Sequence, residues 1–278
     1  WLFFNMAIAG MVTVFFFAHL WRRAEVMTDL EFIEIRYDGK PAGFLRGFRA
    51  VYLGLFMNAI IGGWVNVAIA TILEGMFAIP PHEVFWYIAA AMVFAALYSS
   101  LSGLWGVAVT DAVQFVIAMA GCIILAILVI DSPEIGGLDA LHSALPAATF
   151  NLLPVIGSVE NGMTGVLALS GGAFLAYVGM QWWASWYPGA EPGGGGYVAQ
   201  RMLSTKNERH SVFAMLFFQI AFFCLRPWPW ILVALAALLL YQQLGPEDAK
   251  LGYIYAMNDF LPSGLKGVMV AAFFAAYM

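Results

Sequence analysis

The chain has 278 residues, of which 63% are hydrophobic and 10% are charged, and 12 basic against 17 acidic residues give a formal net charge of −5. Soluble domains carry about 25% charged residues, so this chain could not cover a water-facing surface of ordinary size. The composition excludes an ordinary cytosolic enzyme, a disordered protein and a nucleic-acid-binding protein, which would need a basic surface. We therefore expect lipid to surround most of the chain.

Seven apolar runs have the length, or nearly the length, of a helix that crosses a membrane. A hydrocarbon layer of about 30 Å needs about 20 apolar residues in a helix. Lipid offers no partners to free backbone groups, so the runs should be helical. We predict spans A to G, in chain order, at 1–20, 50–79, 84–101, 106–130, 163–187, 212–241 and 264–278. The first and last runs meet the chain ends, so we expect residues 1–278 to be one transmembrane domain, truncated at both ends.

Basic residues predict the orientation of these spans. Nine lie in the A–B and E–F loops, against two, Lys250 and Lys266, in the loops of the opposite side. Cytoplasmic loops carry the excess of Lys and Arg, so we expect both loops to be cytoplasmic. The nine are Arg22, Arg23, Arg36, Lys40, Arg46, Arg49, Arg201, Lys206 and Arg209.

The A–B loop also contains a helix signal. Thr28 and Glu31 have the spacing of a capping box, in which each residue bonds to the backbone of the other. The apolar and charged residues that follow alternate as in a short helix at the membrane interface.

Polar residues follow the C–D junction, inside the predicted span D. Thr110, Asp111 and Gln114 have helical spacing that brings them to one face. Asp111 lies about 8 Å into the span, where a carboxylate is costly unless it meets water, a cation or a polar partner. Two interpretations stay open: a cation pathway near the cytoplasmic side, or a helix N-terminal acid stabilised by the dipole.

Span E combines glycines with polar and aromatic residues. Glycine-rich breaks in spans are typical of transporters, where the freed backbone binds ions and substrates. Hydrogen-bonding and aromatic side chains would suit a binding cavity, for which the candidates are Tyr177, Gln181, Trp182 and Trp183. The alternative is an aromatic belt at the interface, which suits Trp186 and Tyr187 better. We interpret the glycine-rich stretch 188–196 as a flexible loop near the cytoplasmic end.

Span F contains an arginine followed by two prolines. Pro227 and Pro229 predict a kink, because proline removes a helix hydrogen bond. Arg226 within a span is a functional or structural candidate, and Glu74 lies at a compatible height to pair with it. Neither the two cysteines nor the four histidines show metal-ligand spacing or a disulfide framework.

Four segments, in this order along the chain, resemble the sodium:solute symporter family. They are Thr28-Asp-Leu-Glu31-Phe32 through Arg36-Tyr37, the Ser/Gly-rich junction followed by Thr110-Asp111-Ala-Val-Gln114, Gln200-Arg201-Met202-Leu203, and Leu261-Pro262-Ser263-Gly264-Leu265-Lys266-Gly267. Departures are Ser102 in place of one glycine of the family's Gly-Gly pair, the Pro188–Gly196 insertion, and the lack of an acidic neighbour of Asn5, which argues against a sugar as solute.

The resemblance implies an all-α, polytopic membrane helix bundle that is part of a LeuT-type core of two inverted five-helix repeats. Spans A to F would be core helices two to seven, and G the start of helix eight. A transporter of this kind couples inward movement of Na⁺ to uptake of a small organic solute by alternating access. The resemblance thus implies a solute, the sodium ion and the lipid bilayer as partners, with no enzymatic activity, no cofactor beyond Na⁺ and no nucleic acid, in a bacterial inner (plasma) membrane.

The resemblance also implies roles for single residues. Asn5 lies where core helix two faces the substrate cavity, and the segment from Tyr177 to Trp183 lies where core helix six does. Asp111, with Thr110 and Gln114, matches the sodium pathway near the cytoplasmic exit. Ala276 matches a backbone-carbonyl ligand of the sodium site, of which this chain holds only a part.

Two other functions remain as alternatives at this stage. A transporter-like module can serve as the membrane sensor of a signalling protein, which a soluble signalling extension would reveal. An intramembrane enzyme would need a water-accessible nucleophile or paired acids, and Asp111 is the one candidate acid.

Overall fold

The computed structural model describes residues 5–156, 168–181, 192–245 and 248–277. These residues form two compact units, the first from Trp1–Ile60 and Pro146–Leu225 and the second from Ile61–Leu145 and Arg226–Met278. Four of the described helices are long and apolar enough to cross a membrane: Gly39–Phe77, Pro81–Leu101, Gly103–Ile130 and Glu208–Leu240. The expected all-α helix bundle is therefore confirmed in class.

The described elements in the first half of the chain are six helices. Helix α1 runs through Ala7–Val12, Thr13–Phe17 and Ala18–Ala24, and α2 is Glu31–Arg36. Helix α3 is Gly39–Phe77, α4 is Pro81–Leu101 and α5 is Gly103–Ile130. A short helix, α6, follows at Leu138–Ala144, and a 3₁₀ turn at Ala147–Phe150.

The second half begins with a small two-stranded parallel sheet. Strands β1 (Val155–Ile156) and β2 (Ala168–Leu169) pair, with Val155 opposite Ala168. The helices that follow are α7 (Gly171–Ala176, continued by Tyr177–Gln181), α8 (Gly196–Leu203), α9 (Glu208–Ile220, continued by Ala221–Leu225), α10 (Pro227–Leu240), α11 (Leu251–Phe260) and α12 (Ser263–Tyr277).

The predicted spans differ from the helices mainly at their ends. Helix α1 ends at Ala24 rather than at 20, and α3 begins at Gly39 rather than at 50, because a polar amphipathic turn can continue a helix beyond the apolar run. The predicted start of span E at 163 is wrong, since residues 168–169 are a strand and α7 begins at Gly171. Spans A, E and G correspond to α1, α7 and α12, which are not among the four long spans of the described chain.

Helices α4 and α5 meet at a sharp kink rather than at a loop. Gly103 has φ 63° and ψ 178°, a conformation that residues with a Cβ avoid. Helical geometry continues directly before and after Gly103, so the break between spans C and D falls at this one residue. The junction therefore uses fewer residues than the predicted gap between spans C and D.

Four helical segments in the described chain adopt π geometry, and all four belong to the first unit. They are Thr13–Phe17, Tyr52–Met57, Tyr177–Gln181 and Ala221–Leu225. π segments carry a wider hydrogen-bond spacing than the α-helix and occur often at functional sites. The first unit therefore holds all the π segments of the described chain. Its last π segment lies immediately before Pro227, where the two prolines predicted a kink.

Helix α1 packs against α9 and α8 to form the core of the first unit. The buried residues are Val14, Ala18, Ala199, Met202 and Met215. The buried Ser211 hydroxyl donates to the carbonyl of Ala18 at 2.6 Å. Gly10 lies eight residues before Ala18, and it faces Gln219, which lies eight residues after Ser211. The two helices are therefore antiparallel.

In the second unit, α4 and α5 together pack against α10 and α12. A close approach is possible at Gly121, where a Cβ would collide with the sulfur of Met269. The Asn258 side chain donates to the carbonyl of Gly75 at 3.1 Å and joins α11 to the end of α3. A separate apolar cluster of Ile69, Leu73 and Val84 connects α3 to α4.

Candidate solute and ion sites

Two of the predicted solute-binding residues meet in the first unit. The Asn5 amide nitrogen Nδ2 donates to the backbone carbonyl of Tyr177 at 2.9 Å, and both residues are partly buried. Tyr177 is the first residue of the π segment of α7. The contact joins residues 172 positions apart, so it places the start of α1 beside the irregular part of α7.

The start of α7 is built from a serine cap and two glycines. The Ser170 hydroxyl accepts from the backbone N–H of Ala173 at 3.2 Å, which satisfies one of the free donors of the helix start. This cap and the preceding strand explain why the helix begins at Gly171. The backbone of Gln181 ends the described π segment, but its side chain, Trp182 and Trp183 lie outside the described residues.

The glycine-rich segment after span E is held against α1, at least over its described part, 192–196. The Thr13 hydroxyl is buried, donates to the Ala9 carbonyl at 3.1 Å and accepts from the Gly193 N–H at 3.0 Å. The Trp21 indole donates to the Gly193 carbonyl. Gly193 and Gly194 have φ values of 100° and 71°, which favour glycine. Residues 192–196 are thus anchored, contrary to the expected flexible loop.

Replacing Thr13 with valine should lower stability by about 1–3 kcal/mol, because the Gly193 N–H then loses its acceptor in a buried position. Valine has nearly the shape of threonine, so packing should change little. Thermal unfolding of the purified protein measures the effect. Thr13→Ser keeps the hydroxyl and is the matched control, and equal thermal midpoints for the two variants would contradict the assigned role.

A second close contact of α1 was not predicted from the sequence. A Cβ at Gly10 would overlap the carboxamide of Gln219, so the Gln219 side chain lies directly on the Gly10 backbone. Gln219 is only 3% exposed, and its Oε1 accepts no hydrogen bond from the described residues. The sequence signal that could have pointed to this contact is a single glutamine within the apolar run LFFQIAFF.

One ion pair joins the end of α1 to the start of α9. Arg23, at the end of α1, forms two hydrogen bonds of 3.0 Å to Glu208, which begins α9. The hydrogen bonds and the charge of Glu208 raise the pKa of Arg23. This pair links the A–B and E–F loops at one end of the unit.

The A–B loop contains one half of the predicted capping box, because Glu31 bonds to the backbone of Met27 and not to that of Thr28. The Glu31 N–H donates to the Thr28 hydroxyl at 3.3 Å, and the Glu31 carboxylate accepts from the Met27 N–H at 2.9 Å. Asp29 accepts from the Gly196 N–H at 3.1 Å and lies 4.0 Å from Arg49. The loop thus holds the end of the glycine-rich segment as well as its own helix.

The predicted ion-pathway residues lie on α5 in the second unit. Thr110 is partly buried, donates to the Gly106 carbonyl at 2.8 Å and bonds the Tyr98 hydroxyl of α4. Asp111 is exposed and Gln114 is partly buried. Of the three, Thr110 therefore has a structural role across the α4–α5 kink, whereas Asp111 forms no ion pair with any described residue.

The remaining predicted residues lie elsewhere in the second unit. Ala276 is exposed near the end of α12. The proposed Arg226–Glu74 pair is wrong, since no ion pair among the described residues joins them and Glu74 is exposed. The described residues contain no group of three His, Cys, Asp or Glu that could hold a metal ion.

The Asn5–Tyr177 hydrogen bond thus lies at an irregular helix within an apolar helix bundle. The model of the sodium:solute symporter family matches residues 1–278. The chain is also similar to a sodium/mannose cotransporter from Bos taurus, with 22% identity over 306 residues that cover 99% of this chain and 47% of the relative.

This chain spans about half the length of the curated relative that it matches. Both the family and the relative are transporters, which agrees with the prediction that the chain is not an enzyme. The family match covers the whole chain, including the four segments on which the resemblance was based. The chain therefore belongs to the sodium:solute symporter family.

Proposed function

We propose that the protein to which this chain belongs carries out sodium-coupled symport of a small organic solute by alternating access. The observation that carries the proposal is the Asn5–Tyr177 hydrogen bond, which joins α1 to the π segment of α7. Asn5 and Tyr177 would form one wall of the solute site. Gln181, Trp182 and Trp183 follow directly in the sequence and complete the proposed solute-binding set.

The solute of this symporter is proposed from the relative and from the residues of α1. The relative's name gives mannose, a neutral hydroxylated molecule. Asn5 and the Tyr177 carbonyl are neutral hydrogen-bonding groups that would suit such a solute, although no acidic residue flanks Asn5. We therefore propose a neutral solute and leave its identity to a panel experiment.

The coupling ion is proposed to be Na⁺, held in part by the Ala276 carbonyl and released past Asp111. Thr110 and Gln114 would shape that exit. We further propose that this chain supplies core helices two to seven and the start of helix eight of a LeuT-type repeat fold. The A–B and E–F loops would then be cytoplasmic in a bacterial inner membrane. Neither comparison favours the membrane-sensor alternative.

The proposed symport is tested with the full-length protein in proteoliposomes. Radiolabelled solutes, with mannose among them, are offered with an inward sodium gradient and with a potassium gradient as control. We expect uptake that depends on the sodium gradient. Uptake that is equal in both gradients would contradict sodium coupling.

Replacing Asn5 with alanine should raise the KM for the transported solute roughly 3- to 10-fold, because one neutral hydrogen bond contributes about 0.5–1.5 kcal/mol. The measurement is initial uptake rate against solute concentration. Asn58, whose Oδ1 accepts from the Tyr197 hydroxyl at 3.3 Å in an exposed position, provides the control variant Asn58→Ala. An unchanged KM in Asn5→Ala would assign Asn5 to packing alone.

A further inference from the structure

The strongest unexplained feature of the first unit is the buried carboxamide of Gln219. The residue is 3% exposed, and its Oε1 accepts no hydrogen bond from the described residues. Leaving a buried acceptor without a donor costs about 1–3 kcal/mol. A leucine or methionine would fill the same position between α1 and α9 without that cost. The polar group is therefore unfavourable for packing alone.

The position of Gln219 relates it to the Asn5–Tyr177 pair. Helices α1 and α9 are antiparallel, with Ala18 bonded to Ser211 and Gly10 packed on Gln219. Asn5 lies five residues before Gly10, or about 7.5 Å along the helix. All three helices have a π segment near these residues, at Thr13–Phe17, Tyr177–Gln181 and Ala221–Leu225.

The charges of these helices limit the kind of ligand. No Asp, Glu, Lys or Arg occurs in 5–21, 168–181 or 211–225. A charged ligand would find no opposite charge on these segments, and burying it there would be costly. The free Gln219 Oε1 is an acceptor, so its partner must offer a hydroxyl or an N–H group.

We propose that Gln219 accepts a hydrogen bond from the transported solute, and that the solute is a neutral molecule with hydroxyl or amide donors. This inference rests on the proposed symport. On the side of α1, the carboxamide lies against Gly10, which has no side chain. A small separation of α1 from α9 would open Oε1 to a ligand that enters between the two helices. The solute then joins Gln219 to the Asn5–Tyr177 pair, and the bond is lost when the helices close.

The test compares Gln219→Met with wild type in the full-length protein. Methionine keeps the length and removes the acceptor, so we expect a KM about 3- to 10-fold higher for a neutral solute. The thermal midpoint without solute should be unchanged or higher, because a buried unsatisfied group is gone. Ser211→Ala is the matched control on the same helix; it should lower the midpoint and leave KM unchanged. An unchanged KM in Gln219→Met, whatever its midpoint, would overturn the inference.

Deoxy analogues of the transported solute identify the bonded hydroxyl. The analogue that lacks the bonded hydroxyl should have a raised KM in the wild-type protein. Its KM should not rise further in Gln219→Met, because the analogue and the variant remove the same bond. If Gln219→Met folds poorly, Gln219→Leu replaces it. KM increases from the analogue and from the variant that add for every analogue would overturn the inference.

The panel separates this inference from the proposed symport. It contains mannose, inositol, glutamate and choline, and solute-induced thermal stabilisation reports binding without transport. Sodium-driven uptake of charged solutes alone would overturn the inference and leave symport intact. Binding of a neutral solute that depends on Gln219 but not on sodium would support the inference and contradict symport. A panel in which no neutral solute stabilises the protein counts against the inference.

Discussion

Replacing Gly10 with valine is expected to abolish solute uptake and to lower the thermal midpoint of the full-length protein by about 3–10 °C. A Cβ at this position would overlap the carboxamide of Gln219, which is itself buried and has little room to move. The larger valine side chain would force α1 away from α9. That shift would also separate Asn5 from Tyr177, so binding and stability should fall together.

Three further variants make this expectation specific. Gly62→Val is the matched control, because Gly62 lies in a helix and a Cβ there would meet no atom within 4 Å. It should leave the midpoint and the uptake close to those of wild type. Combining Gly10→Ala with Gln219→Ala removes the colliding group and should recover the midpoint that Gly10→Ala alone loses. Equal midpoints for Gly10→Val and Gly62→Val would show that the α1–α9 contact is not tight.

Hydrophobicity predicted the existence of the helices better than their ends. Long apolar runs fixed the positions of α4 and α5, because a helix in lipid must satisfy its backbone internally. The start of α3 at Gly39 was missed because its first turns are amphipathic and charged. The start of α7 was missed because strand pairing between Ala168 and Val155 depends on residues distant in sequence, which no local pattern reports.

The site could be predicted only where a residue type was unusual in its surroundings. Asn5 and Tyr177 stood out through the resemblance, and they do contact each other. The anchoring of Gly193 by Thr13 joins residues 180 positions apart, so glycine content alone suggested flexibility there. Gln219 became a candidate only when its burial and its missing hydrogen-bond donor were known.

The two interpretations of Asp111 make different predictions, and the bounds of α5 now favour one of them. The helix begins at Gly103, so Asp111 lies eight residues, more than two turns, from its start. The dipole effect falls off within the first turn, which weakens the interpretation as a helix N-terminal acid. Asp111 is exposed and forms no ion pair with a described residue, so the ion-pathway role stays a prediction that a sodium measurement can test.

Replacing Asp111 with asparagine should therefore raise the half-saturating sodium concentration for uptake about tenfold, which corresponds to about 1.4 kcal/mol, and leave the thermal midpoint unchanged. Sodium-activation curves in proteoliposomes provide the measurement. Asp131, exposed at the opposite end of α5, gives the control Asp131→Asn, which should not alter sodium activation. If Asp111→Asn instead lowers the midpoint and keeps the sodium curve of wild type, the carboxylate stabilises the helix and takes no part in ion movement. The sodium curve and the midpoint together thus separate an ion-pathway role from a structural one.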